Sequence, residues 1–382
     1  MKQATSIVTV DTKQKTTMPT NANIVRPLSF VDFCAGIGGG RCGLETNHLQ
    51  CVGFCEIDAS AETTYRMLYD CPKEKNFGDL TKISPQDLPN FDMLIAGFPC
   101  QAFSIMGDRN GFDDQRGQII YYLANILQTK NTPYFILENV KGILNHNDGK
   151  TMQKILAILD NAGYKVFYKL LNSLQFGVPQ MRERVYFVGI QKQIAQLIDN
   201  NQVSIQNTPL KQNDLATTEH YSPTYSDIFP WHSSTKTTNI ADFLVSQNNE
   251  ISSATTQWLQ KYNHNRYNKG RYNFEQIVQK DYTIIDTRQS DLRLYIDKVP
   301  TLRAARKGIL YTRDNKIRYL TAYEGLLLQG FSPTQAQKII GKIPESKLLF
   351  QIGNAMTIPV IDHICQSLFD YLGIQNQLNT GQ

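Results

Sequence analysis

No CxxC pair occurs anywhere in the chain, and its seven cysteines, an odd number, are scattered singly from Cys34 to Cys365. Structural zinc modules and disulfide frameworks need paired thiols at regular spacing, so both are excluded as organising principles, no metal is expected, and a reducing, cytoplasmic setting is. A charged-then-apolar leader is absent, and no run reaches the roughly 18 uninterrupted apolar residues that a bilayer span requires, so no membrane association is expected. Charge is sparse too: 19% of the 382 residues are charged against 41% apolar, a balance that excludes a wholly disordered chain and leaves enough apolar surface for a core. Acids are the minority, 34 against 39 Lys and Arg, and the imbalance is local. Between Lys261 and Arg318 stand fourteen basic and six acidic residues, net +8, which leaves −3 for the remainder. A near-neutral body with one basic segment fits an enzyme that binds a polyanion, because phosphate must be neutralised locally; a merely solvated basic face is the plainer alternative.

Residues 1–24 are Lys, Thr, Asn and Gln without apolar period, which reads as a disordered tail. From residue 25 to 190, apolar runs (LSFVDF, CVGFC, FDMLIAG, PYFIL, RVYFVGI) alternate with helical stretches, among them ASAETTYRMLY and TMQKILAILDNAG. This alternation predicts an α/β fold, a doubly wound, mostly parallel sheet covered by helices on both faces. The composition then turns to Asn, Gln, Thr and Ser, marking a second, smaller and irregular domain over 191–344. The segment 345–382 carries an amphipathic helix, Pro359 to Leu372, expected to return to the first domain.

Four motifs carry chemistry. In LSFVDFCAGIGGGRCGLE an apolar strand runs into Gly36, Gly38, Gly39 and Gly40 and then a helix; missing β-carbons admit a close ligand, and the helix start favours negative charge. Glu56 closes the next strand, twenty residues beyond Gly36, where a carboxylate can accept from a ribose diol. Asp79, after a third predicted strand, can take an adenine amino group or simply cap a helix. In GFPCQAFS, Cys100 follows Pro99 at a strand's carboxyl end, a place that presents a nucleophile, given a cation or helix start to make it a thiolate. Glu138 and Asn139 close PYFILEN at the same edge, and a partly desolvated carboxyl there can donate a proton near neutrality. Arg182 and Arg184, two apart in QMRERVYFVGI, are expected on one face of a strand, suited to a planar acceptor or a phosphate.

Taken together and in order, AGIGG, GFPCQAFS, ENV, QMRER, RYLT with LQGF, and QIGNA resemble the C5-cytosine DNA methyltransferase family of bacterial type, over about Ser29 to Val360. The resemblance implies S-adenosyl-L-methionine lying over the glycine turn and a flipped cytosine beside it. Cys100 would attack C6, Glu138 would protonate N3, and Arg184 with Arg182 would hold the base's O2 or its flanking phosphate. The implied cofactor contacts are Phe33, Cys34, Ala35, Gly36, Gly38 and Gly39 in the first motif, with Glu56, Ile57, Asp79 and Leu80 from the next strand ends. Pro99, Asn354 and Ala355 complete them. Gln101 to Gly117 resembles a mobile catalytic loop, so Gln101, Ser104, Arg109 and Arg116 are expected to touch DNA, as are Arg266, Arg271, Arg303 and Arg306 of the recognition domain. Double-stranded DNA is the implied partner, with a cognate restriction endonuclease as functional companion and a monomeric state. Two places depart from the family pattern: Cys34 stands where an aromatic residue usually stacks on adenine, with Phe98 or Ile57 as substitutes, and Met356 stands where valine is usual. The RNA-methylating branch of the family carries Cys-Phe-Thr after Glu-Asn-Val, whereas Val140 here precedes Lys-Gly-Ile. A non-catalytic DNA-binding relative would not need Cys100, Glu138 and Arg184, and a nicotinamide dehydrogenase would leave the last three motifs unexplained.

Overall fold

SFVDF forms strand β1 (Ser29–Phe33), all of it buried. Its alternate residues go to different cores: Phe30 to one cluster, Val31 and Phe33 to another. A computed structural model of the chain describes residues 27–99, 119–205, 229–236, 238–264, 273–287, 292–304 and 308–374. After β1 come α1 (Gly39–Glu45), β2 (Gln50–Cys55), α2 (Ala59–Tyr69), β3 (Met93–Gly97), α3 (Ile119–Lys130), β4 (Tyr134–Val140) and α4 (Lys150–Asn161). They continue into β5 (Tyr164–Asn172), β6 (Gln180–Met181), β7 (Glu183–Gln191) and α5 (Lys192–Ile205). The smaller elements that follow are α6 (Ser253–Gln260), α7 (Phe274–Val278), β8 (Thr283–Thr287), β9 (Leu292–Ile296), β10 (Val299–Pro300), β11 (Ile309–Arg313) and β12 (Lys316–Tyr319). Helices α8 (Ala322–Leu328), α9 (Pro333–Ile339), α10 (Glu345–Asn354) and α11 (Ile358–Leu372) close the described chain.

The main sheet has the order β2-β1-β3-β4-β7-β5. Strands β2, β1, β3 and β4 pair in parallel, while β7 runs antiparallel to both β4 and β5. The expected doubly wound, mostly parallel sheet is what forms, with one reversed strand. Strand β5, whose VFYKLL run was not singled out in the sequence, fills the far edge. The strand order changes direction between β1 and β3, and a crevice opens outside the carboxyl ends of neighbouring strands at such a point. Strand β7's reversal has its own consequence: its first residues lie beside the last of β4, in the register Val140↔Arg184.

On one side of the sheet, Phe30, Ile95, Ile136 and Val188 pack against Leu44 of α1 and Val360, Ile361, Ile364 and Leu368 of α11. On the other, Val31, Leu94, Phe135 and Phe187 pack against Leu123 of α3 and Ile155 of α4. Helix α11 thus returns to the first sheet, as its apolar pattern predicts, and each large apolar side chain it buries is worth about 1.5–3 kcal/mol. The stretch Glu345–Leu372 is the one candidate among the described residues for a membrane-crossing length of apolar helix, but its most apolar part is mostly buried in the protein and residues 355–357 split it into α10 and α11.

A second, antiparallel sheet has the order β12-β11-β8-β9. Ile285, Leu310 and Ile317 on one face pack under α6 and α7. Ile284, Ile309 and Tyr311 on the other join a cluster that includes Leu326, Ile352 and Ile37 of the glycine turn. The small sheet is therefore seated on the side of the body that carries the glycine turn. Helix α5, which the sequence boundary at 191 assigns to the second domain, packs on β5 and β7 of the first sheet, with Lys165 paired to Asp199 at 2.9 Å.

Candidate active site

Strand β1 ends in a turn whose backbone is left-handed at Cys34 (φ 51°), Gly36 (φ 57°) and Gly38 (φ 81°). Gly36 donates its N–H to Glu56 Oε2 at 2.7 Å, and Glu56 Oε1 accepts from the Asp58 N–H at 2.7 Å. Each carboxylate oxygen keeps a further lone pair. A β-carbon on Gly36 would meet nothing within 4 Å, so the space beside this residue is open to a ligand. Gly38 and Gly39, expected to admit the ligand as well, are closely packed on the side where a β-carbon would stand. A β-carbon on Gly38 would lie 2.5 Å from the Tyr69 ring, and one on Gly39 2.3 Å from the Met356 carbonyl oxygen. The tyrosine also donates its hydroxyl to the Gly38 carbonyl at 2.5 Å. An exposed helical glycine gains about 1 kcal/mol on replacement by alanine. Gly39→Ala should reverse that sign and destabilise by about 1–3 kcal/mol, the cost of overpacking, as measured by urea unfolding.

Other expected cofactor residues divide in the same way. Ile57 is 77% exposed next to Glu56 and offers an apolar face, whereas Phe98 is buried against the Phe187 ring and has none to offer. Phe33 and Leu80 are core side chains, so only their backbones can border a ligand; Ala35 is buried too, its N–H tied to the Cys55 carbonyl. Asp79 caps the short turn Leu80–Lys82, accepting from the Thr81 N–H and hydroxyl, and pairs with Lys82 at 3.1 Å; the Thr81 bonds hold its carboxyl below the usual range. The cap is formed through Oδ1, and Oδ2, beside the 81% exposed Lys82, keeps lone-pair capacity for a ligand donor. Asn76 fixes the spacing between Glu56 and Asp79, accepting from the Glu56 and Gly78 N–H groups and donating to the Glu56 carbonyl.

Asp32 is not among the residues the sequence motifs single out. It is fully buried in mid-strand, and neither carboxyl oxygen has a well-formed hydrogen bond among the described residues. Burial pushes its carboxyl well above the usual range, against the opposing pull of Arg41. The available signal was an acid in the centre of an otherwise apolar strand, which is costly without a purpose. Cys34, two residues on, has its thiol pushed up to about 12 by burial and then by Glu56 and Asp32. It is protonated at neutral pH and is no nucleophile.

At the neighbouring strand end, β3 and β4 bring Gly97 opposite Glu138. Asn139, 1% exposed, donates from Nδ2 to the Phe98 carbonyl at 3.0 Å and accepts the Val140 N–H at 2.8 Å, so it clamps the end of one strand to the other. This clamp orients Phe98–Pro99, with Pro99 exposed. Cys100, Gln101, Ser104, Arg109 and Arg116 lie outside the described residues, as do Arg266, Arg271 and Arg306. Glu138 Oε1 stands 3.0 Å from Arg184 Nε, the two side chains 11% and 13% exposed, and Arg184 Nη1 also donates to the Glu183 carbonyl at 2.8 Å. A carboxylate and a guanidinium, nearly dry, thus meet beside the strand that leads into Cys100.

Arg182 does not join them. Strand β6 stops at Met181 and β7 starts at Glu183, so Arg182 sits at the break rather than on a common strand face with Arg184. Its guanidinium, 3% exposed, donates from Nη1 to the carbonyls of Leu302 and Gly353, both at 3.1 Å, and from Nη2 to that of Ala355 at 2.9 Å. Burial, helped by Arg184, pulls it down to about 10. The expectation that it holds a base or phosphate is corrected: Nη1 and Nη2 are turned to the protein's own backbone, and Nε is buried without a partner among the described residues. Ala355 is likewise buried, while Asn354 is exposed at the end of α10. Arg303 is exposed, the one expected recognition arginine among the described residues.

The family model for C-5 cytosine-specific DNA methylases matches residues 28–370. Type II methyltransferase M.DsaV of Dactylococcopsis salina is 31% identical over 354 residues, 92% of this chain and 89% of that one. With M.BsuFI of Bacillus subtilis identity is 46%, but over 162 residues, so that match spans 42% of this chain and 39% of the relative. Among solved structures, an Entamoeba histolytica methyltransferase, EhMeth, and the S. pombe Dnmt2 methyltransferase align over 90% of this chain and 98% of theirs. Their TM-scores are 0.60 and 0.59 at 17% and 18% identity, a likeness of fold. The ordered motifs, the open glycine turn and the paired strand ends thus stand in a chain that belongs to the C-5 cytosine-specific DNA methylase family.

Proposed function

We propose that this protein transfers a methyl group from S-adenosyl-L-methionine to C5 of a flipped cytosine within a short, specific double-stranded DNA sequence. The observation that carries the reading is the Glu138–Arg184 pair at the strand end next to Pro99, held in register by Asn139. Aromatic C5 is a poor nucleophile, and addition of the Cys100 thiolate at C6 with proton donation by Glu138 at N3 makes it an enamine-like carbon. Splitting one hard step into easier ones is the general benefit of a covalent route. Arg184 keeps the carboxyl oriented and offers donors to the base's O2. After transfer, loss of the C5 proton returns the electron pair that expels the Cys100 sulfur and breaks its bond to C6. Pairing and stacking oppose removal of the base from the duplex by a few kcal/mol, which contacts from the recognition segment must offset.

The residues fit the proposed cofactor. Open space beside Gly36, free lone pairs on Glu56 and the exposed Ile57 suit a ligand with a ribose and an adenine. When bound, that ligand supplies an electrophilic methyl group on a sulfonium sulfur. A cognate endonuclease belongs to the same proposal, with the type II relatives as support, and the enzyme is proposed to act as a monomer.

The test is bisulfite sequencing of DNA from cells expressing the chain, which should show 5-methylcytosine at one short sequence and nowhere else. A duplex with 5-fluorocytosine at that position should then remain covalently attached to the purified protein in the presence of the methyl donor. An unmodified genome together with no trapped complex would sink the proposal.

A further inference from the structure

Resting on the function just proposed, we infer that Arg182 is a positioning residue that couples target recognition to the cofactor turn. The four residues Gly353–Met356 form a strut between the two. At one end, a β-carbon on Gly353 would lie 2.2 Å from the Ala304 nitrogen and 2.4 Å from the Arg303 carbonyl carbon, so the strut touches the backbone beside the exposed Arg303. At the other, the Met356 carbonyl oxygen abuts Gly39, and its methyl lies 3.5 Å from where a β-carbon of Gly97 would be, at the end of β3. The guanidinium of Arg182 binds both sides of the first junction, Leu302 on one segment and Gly353 and Ala355 on the other.

A buried amide network repeats the connection. Gln180 accepts the Leu302 N–H at 3.1 Å and donates to the Leu328 carbonyl at 3.0 Å. Gln329 donates to the Ile352 carbonyl at 2.7 Å and accepts the Thr357 hydroxyl at 2.8 Å. Strand β10 pairs with β6 immediately beside Arg182, so the recognition segment is hydrogen-bonded to the body at the same place. A displacement of residues 302–304 by DNA therefore reaches Gly39 and Gly97 through four residues. Lysine retains the charge of Arg182 but not the planar fork that spans two segments.

The experiment measures affinity for the duplex identified by bisulfite mapping, with and without S-adenosylhomocysteine as a non-reactive probe of the cofactor site. In the wild-type protein the probe should tighten duplex binding at least about fivefold, the lower range of measured couplings. In Arg182→Lys, and independently in Gly353→Ala, the tightening should fall below about twofold while affinity for the probe alone stays within about threefold. The milder, nearly isosteric Thr357→Val removes one hydrogen bond of the network and should give an intermediate value, so the proposal does not depend on the folding of the first two variants. The slope of log affinity against log salt should be unchanged in Arg182→Lys. A slope reduced by about one would make Arg182 a phosphate contact and overturn the proposal. Absence of tightening in the wild type, or full tightening in the variants, would overturn it too. A wild-type protein that makes no 5-methylcytosine would instead refute the proposed function.

Discussion

Replacing Cys100 by serine is expected to lower the rate of methyl transfer by more than about 10³-fold, equivalent to about 4 kcal/mol in the barrier, with duplex affinity nearly unchanged. A serine hydroxyl is a much weaker acid than a thiol, so it stays protonated and cannot add to C6. The other six cysteines offer no substitute. Burial pushes the thiols of Cys34, Cys42, Cys51, Cys55, Cys71 and Cys365 upward, and each is protonated at neutral pH. Single-turnover kinetics on the mapped duplex, with binding followed separately, provide the check. A rate within tenfold of wild type would show that Cys100 is not the nucleophile.

Glu138→Gln should cut the single-turnover rate by about 10²–10⁴-fold, the usual worth of a positioned proton donor, because an amide keeps the shape but transfers no proton. A second effect is separable. The substitution leaves the Arg184 guanidinium, 3.0 Å away and 13% exposed, without its counter-charge, so stability in urea should fall as well. Adding Arg184→Gln should recover part of that stability and none of the activity. Recovery of both would mean that the pair is structural and that Glu138 does not reach the base.

The glycine motif illustrates how far a pattern can be read. In sequence its glycines are equivalent, yet only Gly36 faces open space; Gly38 is filled by Tyr69 and Gly39 by Met356, which stands more than 300 residues further along the chain. Contacts of such separation leave no local trace. The Arg-x-Arg spacing misled for a related reason: a strand break at Arg182, forced by the separate pairing of β6 with β10, removed the common face that a spacing of two implies. Asp79 could be read as ligand or cap from its neighbours alone, and its bonds to Thr81 form the cap through Oδ1 without using up the carboxylate. Asp32 went unnoticed because burial on both faces of a strand is a property of the sheet around it, not of the strand.

The ordered motifs by themselves determined the family, and apolar periodicity the α/β class and the place of Gly97 and Glu138 at strand ends, because each is written in consecutive residues and in the period of the backbone. The tertiary structure alone decided which glycine is open, which arginine faces Glu138 and which binds backbone carbonyls, and where the small sheet is seated. Those outcomes depend on close approach between segments remote in the chain, where a few tenths of an ångström separate a ligand site from a packed contact.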